Sequence, residues 1–139
     1  MVDDDSEDRL LTKNAFEENA FFNKVETAED SEALIAYLRN PGSTIDLNNL
    51  MILLDLRMPR ENGLQVLRFL KNNDQYRHIP VIIYTGTNNR LEVASCYDLG
   101  ATACVLKPHD YKEIIDLGKA LKTFWVSKST QLNNYIDVL

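Results

Sequence analysis

Five polar residues with complementary chemistry each follow an apolar stretch of the chain: Asp3, Asp4, Asp55, Thr85 and Lys107. Three converging carboxylates would repel one another unless a hard divalent cation lay among them, and oxygen-only ligands suit Mg²⁺. A lysine and a hydroxyl opposite them suit an anion. Phosphoryl transfer needs this combination, because a carboxylate can attack as the nucleophile while the cations neutralise phosphoryl charge.

The run from Leu50 to Leu54 is the element that must position Asp55. Consecutive apolar residues followed by a proline-stopped turn are typical of a fully buried parallel strand that ends at a functional loop. Pro59 prevents a helix from continuing through that loop. Asp55 is therefore expected at the carboxyl end of a central strand, where open α/β sheets bind ligands. The alternative is that Asp55 only caps the following helix or solvates a turn.

Strands alternate with helices along the rest of the chain, which predicts a doubly wound parallel sheet with helices on both faces. Because right-handed crossovers place the carboxyl end of every strand at one edge, the five polar residues should meet there. The first helix is expected to begin with Ser6 as its N-cap. The patterns predict helices over about 7–20, 28–40, 62–72, 89–99 and 111–126, and strands over 21–27, 50–54, 79–84 and 101–106.

Length, charge and cysteine content narrow the class of protein. The 139 residues predict one domain, and the net charge of −6 without a basic cluster argues against nucleic acid and anionic membranes as partners. No apolar run approaches the roughly 20 residues that span a bilayer. Cys96 and Cys104 are expected as reduced thiols, so the sequence predicts a cytoplasmic protein.

The same residues also form a set of motifs with fixed spacing. They are Asp3-Asp4, Leu53-Leu54-Asp55-Leu56-Arg57-Met58-Pro59 with Gly63, Thr85-Gly86, and Lys107-Pro108. Together they closely resemble the receiver domain of two-component response regulators, over nearly the whole chain. The resemblance implies a flavodoxin-like sheet of five parallel strands in the order 2-1-3-4-5.

The resemblance also implies roles for the site residues. Asp55 would be the phosphoacceptor, phosphorylated by a sensor histidine kinase or a histidine phosphotransfer protein. Mg²⁺ would be held by Asp3, Asp4, Asp55 and the backbone carbonyl of Arg57. Thr85 would bond the phosphoryl group, and Lys107 would pair with a phosphoryl oxygen through a cis Lys107–Pro108 peptide. Phosphorylation would switch a protein-interaction surface. A weak homodimer through the predicted helix 89–99, strand 101–106 and helix 111–126 fits the same family.

Two features depart from the family pattern. Cys104 stands where an aromatic switch residue is usual, so the switch works either through smaller packing changes or through neighbours such as Tyr84. Only Met1 and Val2 precede Asp3, where an apolar first strand is expected. The segment 135–139 reads into Met1-Val2 as that strand, which predicts a circular permutation with 127–134 as the linker. The alternatives are a tail with no role in the sheet and a tail that completes a neighbouring molecule's sheet.

Two other functions differ from a phosphoacceptor in the residues they need. A haloacid-dehalogenase-type phosphatase needs a second aspartate two residues after the nucleophile, and Arg57 stands there. The chain is thus expected to be a signalling protein that acts by protein contact rather than an enzyme. A pseudo-receiver, or a permuted variant that binds partners without phosphorylation, remains the alternative.

Overall fold

The computed structural model describes residues 1–43, 45–128 and 137–138. The helices in these ranges are α1 (Ser6–Glu18), α2 (Ser31–Arg39), α3 (Gly63–Asn72), α4 (Arg90–Asp98) and α5 (Tyr111–Lys128), and a 3₁₀ turn spans Leu47–Asn49. The strands are β1 (Lys24–Val25), β2 (Leu50–Leu54), β3 (Arg57–Met58), β4 (Glu61–Asn62), β5 (Val81–Thr85), β6 (Ala103–Leu106) and β7 (Asp137–Val138). None of these helices combines the length and apolarity that crossing a membrane requires.

The main sheet has five parallel strands in the order β1-β7-β2-β5-β6. The strands β3 and β4 form a separate antiparallel pair in the loop after Asp55. Because parallel neighbours need long crossovers, helices connect most of the strands. The fold is flavodoxin-like α/β, as the sequence predicts.

The central strand β2 is buried on both of its faces. Its side chains alternate between two apolar clusters, because successive residues of a strand point to opposite faces. Met51 and Leu53 pack into the cluster that contains Phe16 of α1 and Leu121 of α5. The other face packs against α2, α3 and α4 through Leu50, Ile52, Leu54, Leu34, Leu67 and Cys96. All five β2 residues are buried, which explains their uninterrupted apolar run.

Two separate pieces of chain lie between β1 and β2. The strand β7 pairs in parallel with both neighbours, and Val2 forms parallel bridges to Ala28 and Leu54 further along the same gap. The predicted first-strand segment 135–139 has residues 137 and 138 in this position, and its other residues lie outside the described ranges. The predicted linker 127–134 begins inside α5, and 129–134 lie outside those ranges. The circular permutation itself stays a prediction.

The first helix and the first strand differ from expectation. The N-cap of α1 is Asp5, not Ser6, because the Asp5 carboxylate accepts hydrogen bonds from the Glu7 and Asp8 amides at 2.8 and 3.1 Å. The strand β1 is shorter than predicted, since Phe21 and Phe22 pack against Phe16 at the end of α1. With this cap Asp8 is the third residue of α1 and lies in its first turn.

Candidate functional site

Three carboxylates converge at the carboxyl edge of the sheet. Asp55 follows β2 and is 4% exposed, Asp3 is fully buried, and Asp4 is exposed. Each offers an oxygen, and these oxygens lie within 4.8 Å of one another. The backbone fixes this arrangement, because the Asp55 amide donates to the Val2 carbonyl at 2.9 Å. Convergence of these three residues therefore follows from the strand pairing.

Lys107 balances much of this negative charge. It follows β6, and its amide donates to the Thr85 carbonyl at 2.9 Å. Its ammonium lies 2.7 Å from Asp3 Oδ2, 3.0 Å from Asp55 Oδ2 and 2.8 Å from Asp8 Oδ2. The lysine side chain is 19% exposed, so these ion pairs are largely shielded from solvent.

The pKa values of Lys107 and Asp3 are both shifted by burial and by neighbouring charges. Burial lowers the pKa of Lys107, but hydrogen bonds to Asp3, Asp8 and Asp55 more than offset it, and the net pKa is raised. Burial raises the pKa of Asp3, and its contacts with Lys107 and the Asp5 amide only partly offset that effect. The pKa values of both groups can be raised at once, because Lys107 faces several anions whereas Asp3 shares one cation with other carboxylates.

Thr85 and Arg57 complete the predicted set. Thr85 ends β5, is buried, and its hydroxyl accepts a hydrogen bond from the Thr87 amide at 3.4 Å. The Arg57 amide donates to Asp55 Oδ1 at 3.1 Å. The Arg57 guanidinium instead reaches Thr87 Oγ1 at 3.2 Å and Glu92 Oε1 at 3.4 Å. The role of the Arg57 carbonyl as a metal ligand stays a prediction.

The donor set fits a hard divalent cation. It consists of carboxylate oxygens alone, which is the ligand type that Mg²⁺ and Mn²⁺ prefer. Asp3 is held rigidly, because its Oδ1 accepts the Asp5 amide at 2.9 Å. Asp4 is exposed and leaves the cluster open on one side. The residues present can therefore hold such an ion.

Gly63 permits α3 to begin directly against the end of β2. A Cβ atom at this position would lie 2.4 Å from the Asp55 carbonyl oxygen and 2.6 Å from the Leu56 Cα. Real carbon atoms do not approach backbone atoms so closely, so a side chain at position 63 would displace the loop that carries Asp55. The glycine of the sequence motif thus has a steric reason.

Two expectations, one about the Lys107–Pro108 peptide and one about the cysteines, have clear outcomes. The Lys107–Pro108 peptide was expected to be cis, and this is wrong, since no peptide in the described ranges is cis. The trans isomer is the intrinsically favoured one, and the lysine reaches its carboxylates with it. Cys96 and Cys104 are free thiols, as predicted. Burial raises the pKa of Cys96 to about 12.

Cys104 occupies the position at which an aromatic switch residue is usual. The Cys104 amide donates to the Tyr97 hydroxyl at 3.2 Å. Cys104 and Thr85 both line a groove of about 390 Å³ between α4 and β6. Tyr84 is buried on the opposite face, where its hydroxyl and that of Thr12 are 3.3 Å apart. Whether a switch works through smaller packing changes at Cys104 or through neighbours such as Tyr84 stays a prediction.

Sequence reasoning missed Asp8, Thr87 and Glu92. Asp8 binds the ammonium of Lys107, while Thr87 and Glu92 bind the guanidinium of Arg57. The closeness of Asp8 to Asp3 and Asp4 in the sequence was the signal that could have found it. No signal in the sequence pointed to Thr87 or Glu92, because their partner lies on a distant segment of the chain.

Comparison with known proteins points to one family. Residues 1–118 match the response regulator receiver domain. A probable methanogenesis regulatory protein, FilR2 of Methanothrix harundinacea, is 28% identical over 127 residues, which cover 91% of this chain and 81% of that protein. The response regulator Rcp1 of Synechocystis is 25% identical over 131 residues, with 94% and 89% coverage.

Solved structures agree with this match. The Mn²⁺-bound form of Rcp1 superposes with a TM-score of 0.76 at 26% identity, covering 95% of this chain and 96% of that one. The phosphorylated cyanobacterial phytochrome response regulator RcpA gives a TM-score of 0.77 at 28% identity, with 91% of each chain covered.

Proposed function

Because the chain belongs to the response regulator receiver domain family, we propose that it is a Mg²⁺-dependent phosphoacceptor of a two-component phosphorelay. The observation that carries the proposal is the placement of Asp55. Its nearly buried carboxylate lies 3.0 Å from the Lys107 ammonium and shares an acidic cluster with Asp3 and Asp4. Residues 1–139 would form a single receiver domain.

The proposed step is nucleophilic substitution at phosphorus. An oxygen of Asp55 forms the new bond to phosphorus, and the bond from phosphorus to the donor breaks. The electron pair leaves with the donor, as an imidazole nitrogen of a phosphohistidine or as acetate from acetyl phosphate. Lys107 would hold a phosphoryl oxygen, and the Thr85 hydroxyl would donate to another.

A divalent cation would occupy the acidic cluster. Asp3, Asp4, Asp55 and the Arg57 carbonyl would hold it, and when bound it supplies neutralisation of phosphoryl charge. The carboxylate set supports this assignment, as does the Mn²⁺ in the related Rcp1 structure. Asp3 and Asp55 cannot both approach a phosphoryl group without such neutralisation, because like charges at this distance repel.

Receiver domains are signalling proteins that take the phosphoryl group from sensor histidine kinases or phosphotransfer proteins, and we propose the same class of donor here. The relatives include a phytochrome response regulator, so phytochrome-type kinases are among the candidates. The switched surface would be the face of α4, β6 and α5. Exposed Leu91, Tyr97 and Leu106 support this, since large apolar side chains at a surface mark contact sites.

The test is phosphate-affinity electrophoresis after incubation with acetyl phosphate and Mg²⁺. We expect a retarded band that disappears with Asp55→Asn, with EDTA and after hydroxylamine treatment, which cleaves acyl phosphates. Asp74→Asn is the matched control, because Asp74 is 89% exposed on the loop after α3 and undergoes the same loss of charge.

The outcomes of this test distinguish the proposed role of Asp55 from its alternatives. A retarded band that survives Asp55→Asn would place the phosphoryl group elsewhere and contradict the proposed role of Asp55. No band for the unaltered protein would leave the alternative, a module that binds partners without phosphorylation. Binding of Mn²⁺, followed by electron paramagnetic resonance, then separates loss of the metal site from loss of reactivity.

A further inference from the structure

Asp8 is a carboxylate of the site that the acidic cluster does not include. It lies in the first turn of α1, and its Oδ2 accepts a hydrogen bond from the Lys107 ammonium at 2.8 Å. The carboxylates that lie within 4.8 Å of one another are Asp3, Asp4 and Asp55. An ammonium has three N–H donors, so Asp8 uses one of those that Lys107 could offer to a phosphoryl group.

Helix α1 fixes the position of Asp8. The Asp5 carboxylate caps the helix by accepting the Asp8 amide at 3.1 Å. One turn later on the same face, the hydroxyl of Thr12 contacts the Tyr84 hydroxyl in the core, and the Tyr84 ring lies 5.9 Å from the Lys107 ammonium. Asp8 therefore contacts the lysine from a helix that is anchored on both sides of it.

The partners of Lys107 differ in what binding would do to them. Asp3 and Asp55 belong to the set that would hold the cation, and Asp55 itself would carry the phosphoryl group. Asp8 gains no new partner in that state, and its side chain is 39% exposed, so water can solvate it when the lysine leaves. Its contact is the one that Lys107 can give up.

We propose that Asp8 is a positioning residue that competes with the phosphoryl group for the ammonium of Lys107, an inference that rests on the proposed function. In the unphosphorylated protein Asp8 holds the lysine toward α1. A phosphoryl group on Asp55 must draw the ammonium away from Asp8, and the negative charge of Asp8 opposes this. Removing that charge strengthens binding of the phosphoryl group.

Beryllofluoride, a stable analogue of the phosphoryl group, tests the competition in the presence of Mg²⁺. Its binding is followed by ¹H–¹⁵N NMR for the unaltered protein, Asp8→Asn, Asp8→Glu and Glu7→Gln. We expect the midpoint of Asp8→Asn to be about threefold lower, as for a partly exposed ion pair. Asp8→Glu restores the carboxylate and should return the midpoint toward the original value.

Glu7→Gln is the matched control, because it removes the same charge from the same helix turn without a contact to Lys107 in the described part of the chain. It should leave the midpoint unchanged. An equal shift for Glu7→Gln and Asp8→Asn, or a midpoint for Asp8→Asn at or above the original, overturns the competition.

A second readout needs neither metal nor analogue. Trace acetylation of Lys107 in metal-free protein, quantified by peptide mass spectrometry, reports how firmly the ammonium is held. We expect labelling about threefold faster in Asp8→Asn and unchanged in Glu7→Gln. Unchanged labelling in both overturns the contact itself. If the unaltered protein does not bind beryllofluoride, the proposed function and the competition fail together, and the labelling still decides whether Asp8 holds Lys107.

Discussion

The ammonium of Lys107 and Oδ2 of Asp55 lie 3.0 Å apart, although they follow strands that are not neighbours in the sheet. The strand between them, β5, ends at Thr85, whose carbonyl accepts the Lys107 amide. The ion pair is thus set by the sheet itself. The positive charge of Lys107 thereby offsets the energetic cost of burying two carboxylates, Asp3 and Asp55.

Loss of this cation should destabilise the protein when no metal is present. We expect Lys107→Met, which keeps most of the apolar stem, to lower the free energy of unfolding by about 2 kcal/mol at pH 7 in EDTA. Saturating Mg²⁺ should recover part of this loss, because a ligand that binds the native state stabilises it. Urea unfolding with and without Mg²⁺ measures both effects.

Lys119→Met is the control for that experiment, since Lys119 is 63% exposed and pairs only loosely with Asp116 at 3.8 Å. It should change stability by less than about 0.5 kcal/mol. If Lys107→Met is as stable as the original protein in EDTA, the buried carboxylates do not depend on the lysine.

The raised pKa of Asp3 predicts the opposite effect for its neutral variant. Below the ordinary aspartate pKa of 3.8 the folded and unfolded states both bind the proton. Above it the folded state holds the proton longer, so stability falls as pH rises through the raised pKa. Asp3→Asn removes this cost and should therefore be more stable than the original protein at pH 7 in EDTA, because burial no longer acts on a charged group.

The same variant should lose metal binding, because one ligand of the cluster has become an amide. Urea unfolding between pH 4 and 8 is the measurement, and the stability difference should shrink as the pH falls toward the ordinary pKa. A variant that is less stable than the original protein at pH 7 would show that the ion pair with Lys107 outweighs the burial of Asp3.

Much of the site follows from residues that are local in sequence. A five-residue apolar run such as β2, followed by Pro59, is typical of a buried strand. This pattern correctly predicted that Asp55 lies at the edge of the sheet. The convergence of Asp3, Asp4, Asp55 and Lys107 followed from the rule that parallel strands end together. These inferences needed only periodicity and handedness.

The contacts that the sequence could not reveal are tertiary. Asp8 in the first turn of α1 meets Lys107 at the end of β6, 99 residues later in the chain. The short β1 has a similar cause, since aromatic packing by Phe21 and Phe22 replaced strand pairing. Neither choice is visible in apolar spacing alone.

The close approach of Gly63 to Asp55 gives a steric prediction. Gly63→Ala should lower the free energy of unfolding by about 2 kcal/mol, because its Cβ would overlap the Asp55 carbonyl and the backbone must move. Gly86→Ala is the control, since a Cβ there meets nothing within 4 Å. Urea unfolding of both variants measures the difference, and equal stability of the two would contradict this account of the glycine.

The exposed apolar side chains of α4 and β6 lead to a prediction about self-association. Leu91 is 79% exposed, and Tyr97 and Leu106 are about half exposed. Burying such surface in a contact with a second copy of the chain is favourable by roughly 25 cal/mol per Å². We expect a weak dimer that forms with rising concentration when Mg²⁺ and beryllofluoride are present.

Sedimentation velocity tests this dimer with two matched leucine variants. Leu91→Ser should abolish the concentration dependence, because it removes the most exposed apolar side chain of the α4 face. Leu10→Ser should retain it, since Leu10 is also exposed, at 59%, but lies on α1. Equal weakening by both variants would indicate a contact that is not confined to α4, and a monomer at every concentration of the unaltered protein would contradict self-association through this face.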